Sequence, residues 1–417
     1  MNSRIYYGEY TLRHWLRLLL SGNIVLPNYQ RSFVWREKDM RRLVKSLVNK
    51  QFVQPITLAL FDAKDGSATS NLIIDGQQRL TTVLLTYIGY IPDLDRFDKD
   101  EGVSSGDDSS EDDGGTGIDK VPVRWTFQRL LSKDQKENAL EKVKERMISD
   151  GRYIEFKDLN LPDDFFDKTF LGFSYIIPES NDRSEIQNSY TQLFRNINYF
   201  GARLSVMESR RSLYYMKSQY QRYFEGLLED DSDVLCGIKL LEKLIPTKID
   251  FVRYLSTLSQ YLILGSCDKV LLWYSAYSTR ESYYGDYVSY IVGVDQEINE
   301  TKFDGFDFAT VFPGDCWKQR FVVLRDTVKS LKPNFDLNKD NAFSSWIDAD
   351  YWLFGLIFHI VFKGKKLQDD STRLVDEVKK KIRVKRKDDY YAKTPNRLGN
   401  LRERMKESII IVGKYVQ

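Results

Sequence analysis

Histidine is nearly absent. Of 417 residues only His14 and His359 carry an imidazole, too few to assemble a His-Asn-His nuclease finger. His14 falls in an early amphipathic pattern and His359 inside the apolar run YWLFGLIFHIVF, positions that suit a packed or surface side chain better than a ligand. The three cysteines, Cys236, Cys267 and Cys316, are far apart, odd in number and in no metal-ligand spacing, which fits a reducing cytoplasm better than a disulfide framework. The opening MNSRIYYGEY has no apolar signal core and no stretch reaches the length of a membrane span, so a cytoplasmic protein without a membrane partner is expected. A phosphate loop of the GxxxxGK type is missing, and the carboxylates show no cluster with the spacing of a two-metal nuclease.

What is there is the composition of a globular protein, 42% apolar and 29% charged, in a chain long enough for two or three domains of about 100 to 200 residues each. Aromatic residues make up 14%, a share that suits helix packing and also stacking on bases.

The most informative stretch runs from Asn71 to Tyr90, NLIIDGQQRLTTVLLTYIGY. Leu72, Ile73 and Ile74 form an apolar run, and Leu80, Val83, Leu84, Tyr87 and Ile88 recur at helical spacing, so a strand, a tight turn and a buried helix are expected. Asp75 stands where an N-cap carboxylate would take up free N–H groups, and Gly76 leaves the backbone open to a ligand. An anion at that helix mouth would meet unpaired donors and the helix dipole, with Arg79 able to add a two-pronged contact to phosphate oxygens. From spacing alone, an ordinary strand-to-helix turn with a good cap explains these residues equally well.

DGQQRLTT, taken with the upstream LPNYQRSFVW and with LFRNINYFGARLSVMES at Leu193 to Ser209, resembles the N-terminal module of the GmrSD-type modification-dependent restriction enzymes. Three blocks in order carry the resemblance over roughly the first half of the chain. It implies a mixed α/β fold similar to the ParB and sulfiredoxin superfamily, in which a turn at a helix N-terminus holds nucleotide phosphates. The implied cofactor-binding residues are Tyr29, Gln30, Arg31, Trp35, Asp75, Gly76, Gln77, Gln78, Arg79, Thr81 and Asn198, with a nucleoside triphosphate and Mg²⁺ as cofactors. Asp75, the one carboxylate in the motif, is the candidate for catalysis and for metal. Arg31 can reach a second phosphate and Trp35 offers a flat face for a base; equally, Phe33 and Trp35 read as core anchors and Arg31 as a surface ion-pair residue.

Around these blocks a helix is expected at Thr11 to Ser21, a strand at Ile24 to Leu26, a helix at Lys38 to Lys50, strands at Ile56 to Phe61 and Phe173 to Pro178, and a long polar helix within Val121 to Gly151. Between Asp93 and Lys120 the chain holds 11 acidic residues against 3 basic, a net −8, and reads as a disordered insertion, either merely tolerated or shielding a basic cleft. Since the total is +2, the remainder carries +10. The expected organisation is therefore an α/β nucleotide-binding domain over 1–205 with an insertion at about 93–120, then an all-α helical domain over 206–417, with helices at, among others, Asp233 to Leu244 and Val270 to Ser275. Between Arg373 and Lys406 there are 13 basic residues against 5 acidic. Lys379, Lys380, Lys381, Arg383, Lys385, Arg386 and Lys387 form the best nucleic-acid candidate, although an exposed basic helix face explains them as well.

Three functions follow. The first is a nucleotide-binding and hydrolysing module, an Mg-dependent NTPase, in bacterial DNA restriction or anti-phage defence. The second is a non-catalytic DNA-binding or assembly protein that recruits a separate nuclease, and the third a ParB-like DNA nickase. Homo-oligomerisation is left open.

Overall fold

The computed structural model describes residues 3–26, 33–62, 69–101, 104–106, 125–132, 134–179, 186, 189–190, 193, 210–211, 213–214, 218–242, 245–272, 274–293, 303, 305–335, 342–343, 346–368 and 371–417. The chain separates into two compact units, one of Met1–Gly102 with Pro122–Glu208, the other of Val103–Val121 with Ser209–Gln417. Each has its own hydrophobic core.

The first unit is a mixed sheet carrying helices. β1 (Ser3–Thr11) leads into α1 (Leu12–Leu20), whose Leu12, Trp15, Leu16 and Leu19 repeat at helical spacing and are all buried. Thr11 caps it by accepting from the His14 N–H at 3.2 Å. After β2 (Ile24–Val25), α2 (Glu37–Val48) turns Met40, Leu43, Val44 and Leu47 inward. β3 (Ile56–Asp62) and β4 (Thr69–Asp75) then form an antiparallel pair that ends at α3 (Gln77–Ile88). β5 (Tyr90–Pro92), α4 (Leu94–Glu101), α5 (Leu140–Asp150), β6 (Tyr153–Glu155), α6 (Phe165–Lys168) and β7 (Phe170–Pro178) complete the unit. The main sheet has the order β1-β7-β3-β4-β2, and β5 and β6 make a separate antiparallel ribbon. β7 lies parallel to β3 and antiparallel to β1, so a strand at 170–178 is inserted between two made much earlier.

Three expectations change here. β1 is a strand that periodicity does not announce, because every residue from Arg4 to Glu9 is exposed and no alternation appears. The acidic stretch does not begin as a structureless loop. Leu94–Glu101 is helical, with Asp93 accepting from the Arg96 N–H and Phe97 buried beneath the guanidinium of Arg152, while 107–120 lies outside the described residues. The polar helix expected within 121–151 is confined to α5, preceded by two single 3₁₀ turns at Phe127–Leu130 and Gln135–Asn138, since Trp125, Phe127 and Leu130 are drawn into the core.

The second unit is predominantly helical, with α7 (Ser218–Glu225), α8 (Phe251–Leu264), α9 (Tyr277–Val292), α10 (Trp317–Leu331), α11 (Trp346–Leu356), α12 (Ser371–Arg386) and α13 (Leu398–Gly413). It is not all-α. Lys239–Glu242 and Ile245–Ile249 form an antiparallel pair, flanked by Ala342–Phe343 and by Ser104–Gly106 in a four-stranded sheet. The helix expected over 233–244 is broken by positive φ at Cys236 (52°) and Gly237 (63°), and Pro246 cannot continue one. A single 3₁₀ turn, Cys267–Lys269, precedes the helix expected over 270–275, where extended Val270 and left-handed Leu271 (φ 57°) stand instead. Most of the tyrosines and phenylalanines described in this unit are core residues, among them Tyr223, Tyr254, Tyr283 and Tyr287.

A buried ionic cluster ties these helices together. Asp350 on α11 accepts from both guanidinium nitrogens of Arg253 at 2.7 and 2.8 Å, from Arg404 Nε at 2.9 Å and from the Tyr254 hydroxyl at 2.8 Å, with Asp350 and Arg404 fully buried. Burial pushes the carboxyl up, but the two guanidinium groups more than offset it and hold Asp350 below the usual carboxylate range. His359 sits in a π-helical turn, Ile357–Phe362, that extends α11, with Nε2 2.9 Å from the Ile409 carbonyl. Removing one member of a buried ion cluster leaves uncompensated charge. Asp350→Ala should therefore destabilise the second unit by about 3–5 kcal/mol, read as a lowered urea midpoint.

Candidate functional site

The site is built at the junction of β4 and α3, where an extended chain must reverse into a helix within one residue. Gly76 makes the reversal with φ 97° and ψ 10°, and it, not Asp75, is the N-cap. β4 runs through Asp75, so the aspartate's backbone is held in the ladder opposite Thr57. Space as well as φ demands glycine. A Cβ at residue 76 would stand 2.4 Å from Ile56 Cδ1 and 3.3 Å from Arg79 Nη2. Because glycine has no side chain to cap with, the N-cap gives the first N–H groups of α3 no side-chain acceptor.

Asp75 instead uses its carboxylate on Arg79, one turn along, with Oδ2 2.5 Å from Nη2. Nη1 of the same arginine donates to the Gln54 carbonyl at 2.7 Å. Arg79 is 8% exposed, and its guanidinium staples the entrance of β3 to the turn between β4 and α3. Asp75 remains more than a third exposed, and only its Oδ2 is engaged among the described residues.

Gln78 joins two of the sequence blocks. Its Oε1 accepts from the Val34 and Trp35 N–H groups at 3.0 and 3.3 Å, holding the end of LPNYQRSFVW against the start of α3. Phe33, immediately before, is buried against Trp125 and donates its N–H to the Trp125 carbonyl at 2.7 Å. Trp35 is half-buried against the core. Tyr29, Gln30, Arg31 and Asn198 lie outside the described residues.

The remaining polar groups of α3 divide sharply. Residues 77–86 and Ile88 are all buried, and Thr82 and Thr86 satisfy their hydroxyls on the carbonyls four residues back. Gln77 and Thr81 do not. Gln77 Nε2 and Thr81 Oγ1 are buried, with residue exposures of 4% and 0%, and have no hydrogen-bond partner among the described residues. They are four residues apart and so share one side of the helix, at its N-terminal end. Buried polar atoms are nearly always paired, so two orphans one turn apart set the N-terminal end of α3 apart from the rest of the helix.

Residues 15–215 match the family model of the GmrSD restriction endonuclease N-terminal domain. This part of the chain belongs to that family. A second comparison finds an uncharacterized protein of Methanocaldococcus jannaschii, 25% identical over 180 residues, an alignment that covers 38% of this chain and 30% of that protein. The chain thus spans less than a third of the length of that relative. The family match contains the upstream block, the DGQQR turn and the whole of the third block, the segments that carry the resemblance in the sequence.

Away from the turn, the basic stretch of α12 is partly engaged within its own unit. Lys381 pairs with Glu407 at 2.7 Å, Lys385 with Glu403 at 2.6 Å, and Arg386 with Asp348. Lys380, Arg383 and Lys387 are exposed at helical spacing. No group of three or more His, Cys, Asp or Glu among the described residues is placed to hold a metal ion, and no helix is long and apolar enough to cross a membrane.

Sequence reasoning missed Gln54 and Ile56. One contributes a main-chain carbonyl and the other a steric wall, and neither role leaves a side-chain pattern. Gly76→Ala should cost about 2–4 kcal/mol, combining left-handed strain with overpacking. In an Ile56→Ala background, which removes the 2.4 Å contact and leaves those at 3.3 Å to Arg79 Nη2 and the Ile56 Cα, the added cost should fall, a difference that a double-mutant cycle by urea denaturation measures.

Proposed function

We propose that the β4–α3 turn binds the phosphates of a nucleoside triphosphate, and that the chain acts in DNA restriction or anti-phage defence as a nucleotide-responsive, hydrolysing component. The observation that carries the reading is the pair of unpartnered buried groups, Gln77 Nε2 and Thr81 Oγ1, beside an uncapped helix start. A phosphate there receives the N–H groups of the first turn, the helix dipole and two side-chain donors. The mixed sheet and its strand–turn–helix also support the likeness to the ParB and sulfiredoxin fold.

Arg79 takes a double part in this scheme. Its charge offsets that of Asp75, and its bonds to Asp75 and the Gln54 carbonyl, which engage both terminal nitrogens in place of the expected two-pronged phosphate contact, keep the turn rigid. Asp75 alone would repel phosphate; paired with Arg79 it is electrostatically neutralised, with Oδ1 left to orient a water molecule toward the terminal phosphorus. Mg²⁺ is commonly held by one or two carboxylates together with substrate phosphates, a donor set that Asp75 and a bound triphosphate fit. A bound Mg²⁺ would supply charge neutralisation at the phosphate oxygens.

Replacing an unsatisfied buried hydroxyl by a methyl removes a desolvation penalty of about 1–3 kcal/mol. Thr81→Val should thus raise the melting temperature of the free protein while weakening its nucleotide affinity at least several-fold, by calorimetric titration with each of the four NTPs and Mg²⁺. A variant that is stabilised but binds as the wild type does would remove Thr81 from the site. Gln77→Leu serves as an independent second probe.

A second reading, a DNA-binding or assembly protein that recruits a separate nuclease, is favoured by the exposed Lys380 and Arg383 on α12 and Lys387 just past its end. Reversing these three charges should lower DNA affinity and reduce the slope of log affinity against log salt by about one per lost phosphate contact. The same reversals at Lys381 and Lys385, already paired to Glu407 and Glu403, should do less. Equal effects of the two sets would argue against this face.

A further inference from the structure

We infer that Phe52 is the platform on which the ligand's nucleobase stacks, and thus the residue that makes this turn a nucleotide site rather than a bare phosphate site. The inference rests on the phosphate reading of the turn. Phe52 is 86% exposed, the highest value among the exposed large apolar side chains of the described residues. An isolated exposed aromatic is ordinary; its place in the chain is not. Two residues on, Gln54 gives its carbonyl to Arg79 Nη1 at 2.7 Å, so the Phe52 Cα lies at most about 7 Å from that of Gln54, on the segment that the Arg79 clamp anchors.

The segment bearing Phe52 is fixed on its C-terminal side. Val53 packs against the first core, Gln54 is bonded to Arg79, and Pro55 lies against Gly172, where an added Cβ would meet the proline ring at 3.6 Å. On the other side Lys50 takes φ 52°, turning the chain out of α2. A phenyl ring carried in water on an anchored loop has lost little freedom that stacking would otherwise remove, and every base presents a face to it. Trp35, the aromatic that the sequence suggests for this task, is half-buried against the core with its N–H held by Gln78. Among the described residues, Phe52 is an aromatic on the clamped segment that is left accessible.

The test compares nucleoside triphosphates with inorganic tripolyphosphate, which has the charge and no base, by calorimetric titration of the full chain in Mg²⁺ buffer. Phe52→Ala should lose about ten-fold or more in affinity for the triphosphates and keep its affinity for tripolyphosphate within two-fold, and Phe52→Trp should restore nucleotide binding. Truncating an exposed side chain leaves the fold intact, which the tripolyphosphate arm verifies. Undiminished nucleotide affinity in Phe52→Ala would overturn the assignment, as would an equal loss for both ligands. If the wild type binds neither ligand, the phosphate reading of the turn fails first; if it binds tripolyphosphate as tightly as nucleotide, that reading stands and only the stacking role is lost.

Discussion

The first unit depends on a single residue that has no side chain. At Gly76 the chain leaves a sheet and enters a buried helix with φ at 97° and with Ile56 within contact distance of where a Cβ would be. Any other residue would strain the backbone, push β3 away from α3, or both. Because that crossing is so tight, Arg79 reaches back to Asp75 and to the Gln54 carbonyl, and Gln78 reaches across to Val34 and Trp35. The DGQQR string thus reads as one mechanical part in which each letter has an assigned contact, apart from Gln77.

That exception links stability to function. A helix buried on all sides normally has apolar residues or satisfied hydroxyls, and α3 obeys this at Thr82 and Thr86. Gln77 and Thr81 break the rule at the helix's N-terminal end, and the proposed phosphate would restore it. Ligand sites often keep such local defects, which reduce stability in the free protein and are removed by the ligand.

Much of the first unit was readable beforehand because its patterns are local. The inward stripes of α1 and α2, the apolar strand before DG and the helical spacing after it all depend on residues close in sequence. What could not be read depends on distant partners. β1 has no alternation of its own and is a strand because β7 pairs with it; the acidic stretch begins as a helix because Phe97 finds a pocket beside Arg152 and Tyr153. In the second unit, Lys239–Glu242 is apolar and charged enough to suit a helix, and positive φ at Cys236 and Gly237 directs it into a sheet instead. At the site itself, the motif located the turn, whereas the expected capping role of Asp75 passed to Gly76 because the strand extends one residue further than periodicity suggests.

The pairing of β1 with β7 also governs when the first unit can form. Ser3 lies opposite Pro178 and Thr11 opposite Phe170, and β3, at the centre of the sheet, needs β7 as its other neighbour. At translation rates of about 5–20 residues per second, β7 leaves the ribosome on the order of ten seconds after β1. Through that interval the nascent chain presents Ile5, Tyr6 and Tyr7 on an unpaired strand, and closing so long a loop is entropically costly and slow. β1 cannot be paired along its whole length until residue 178 has emerged.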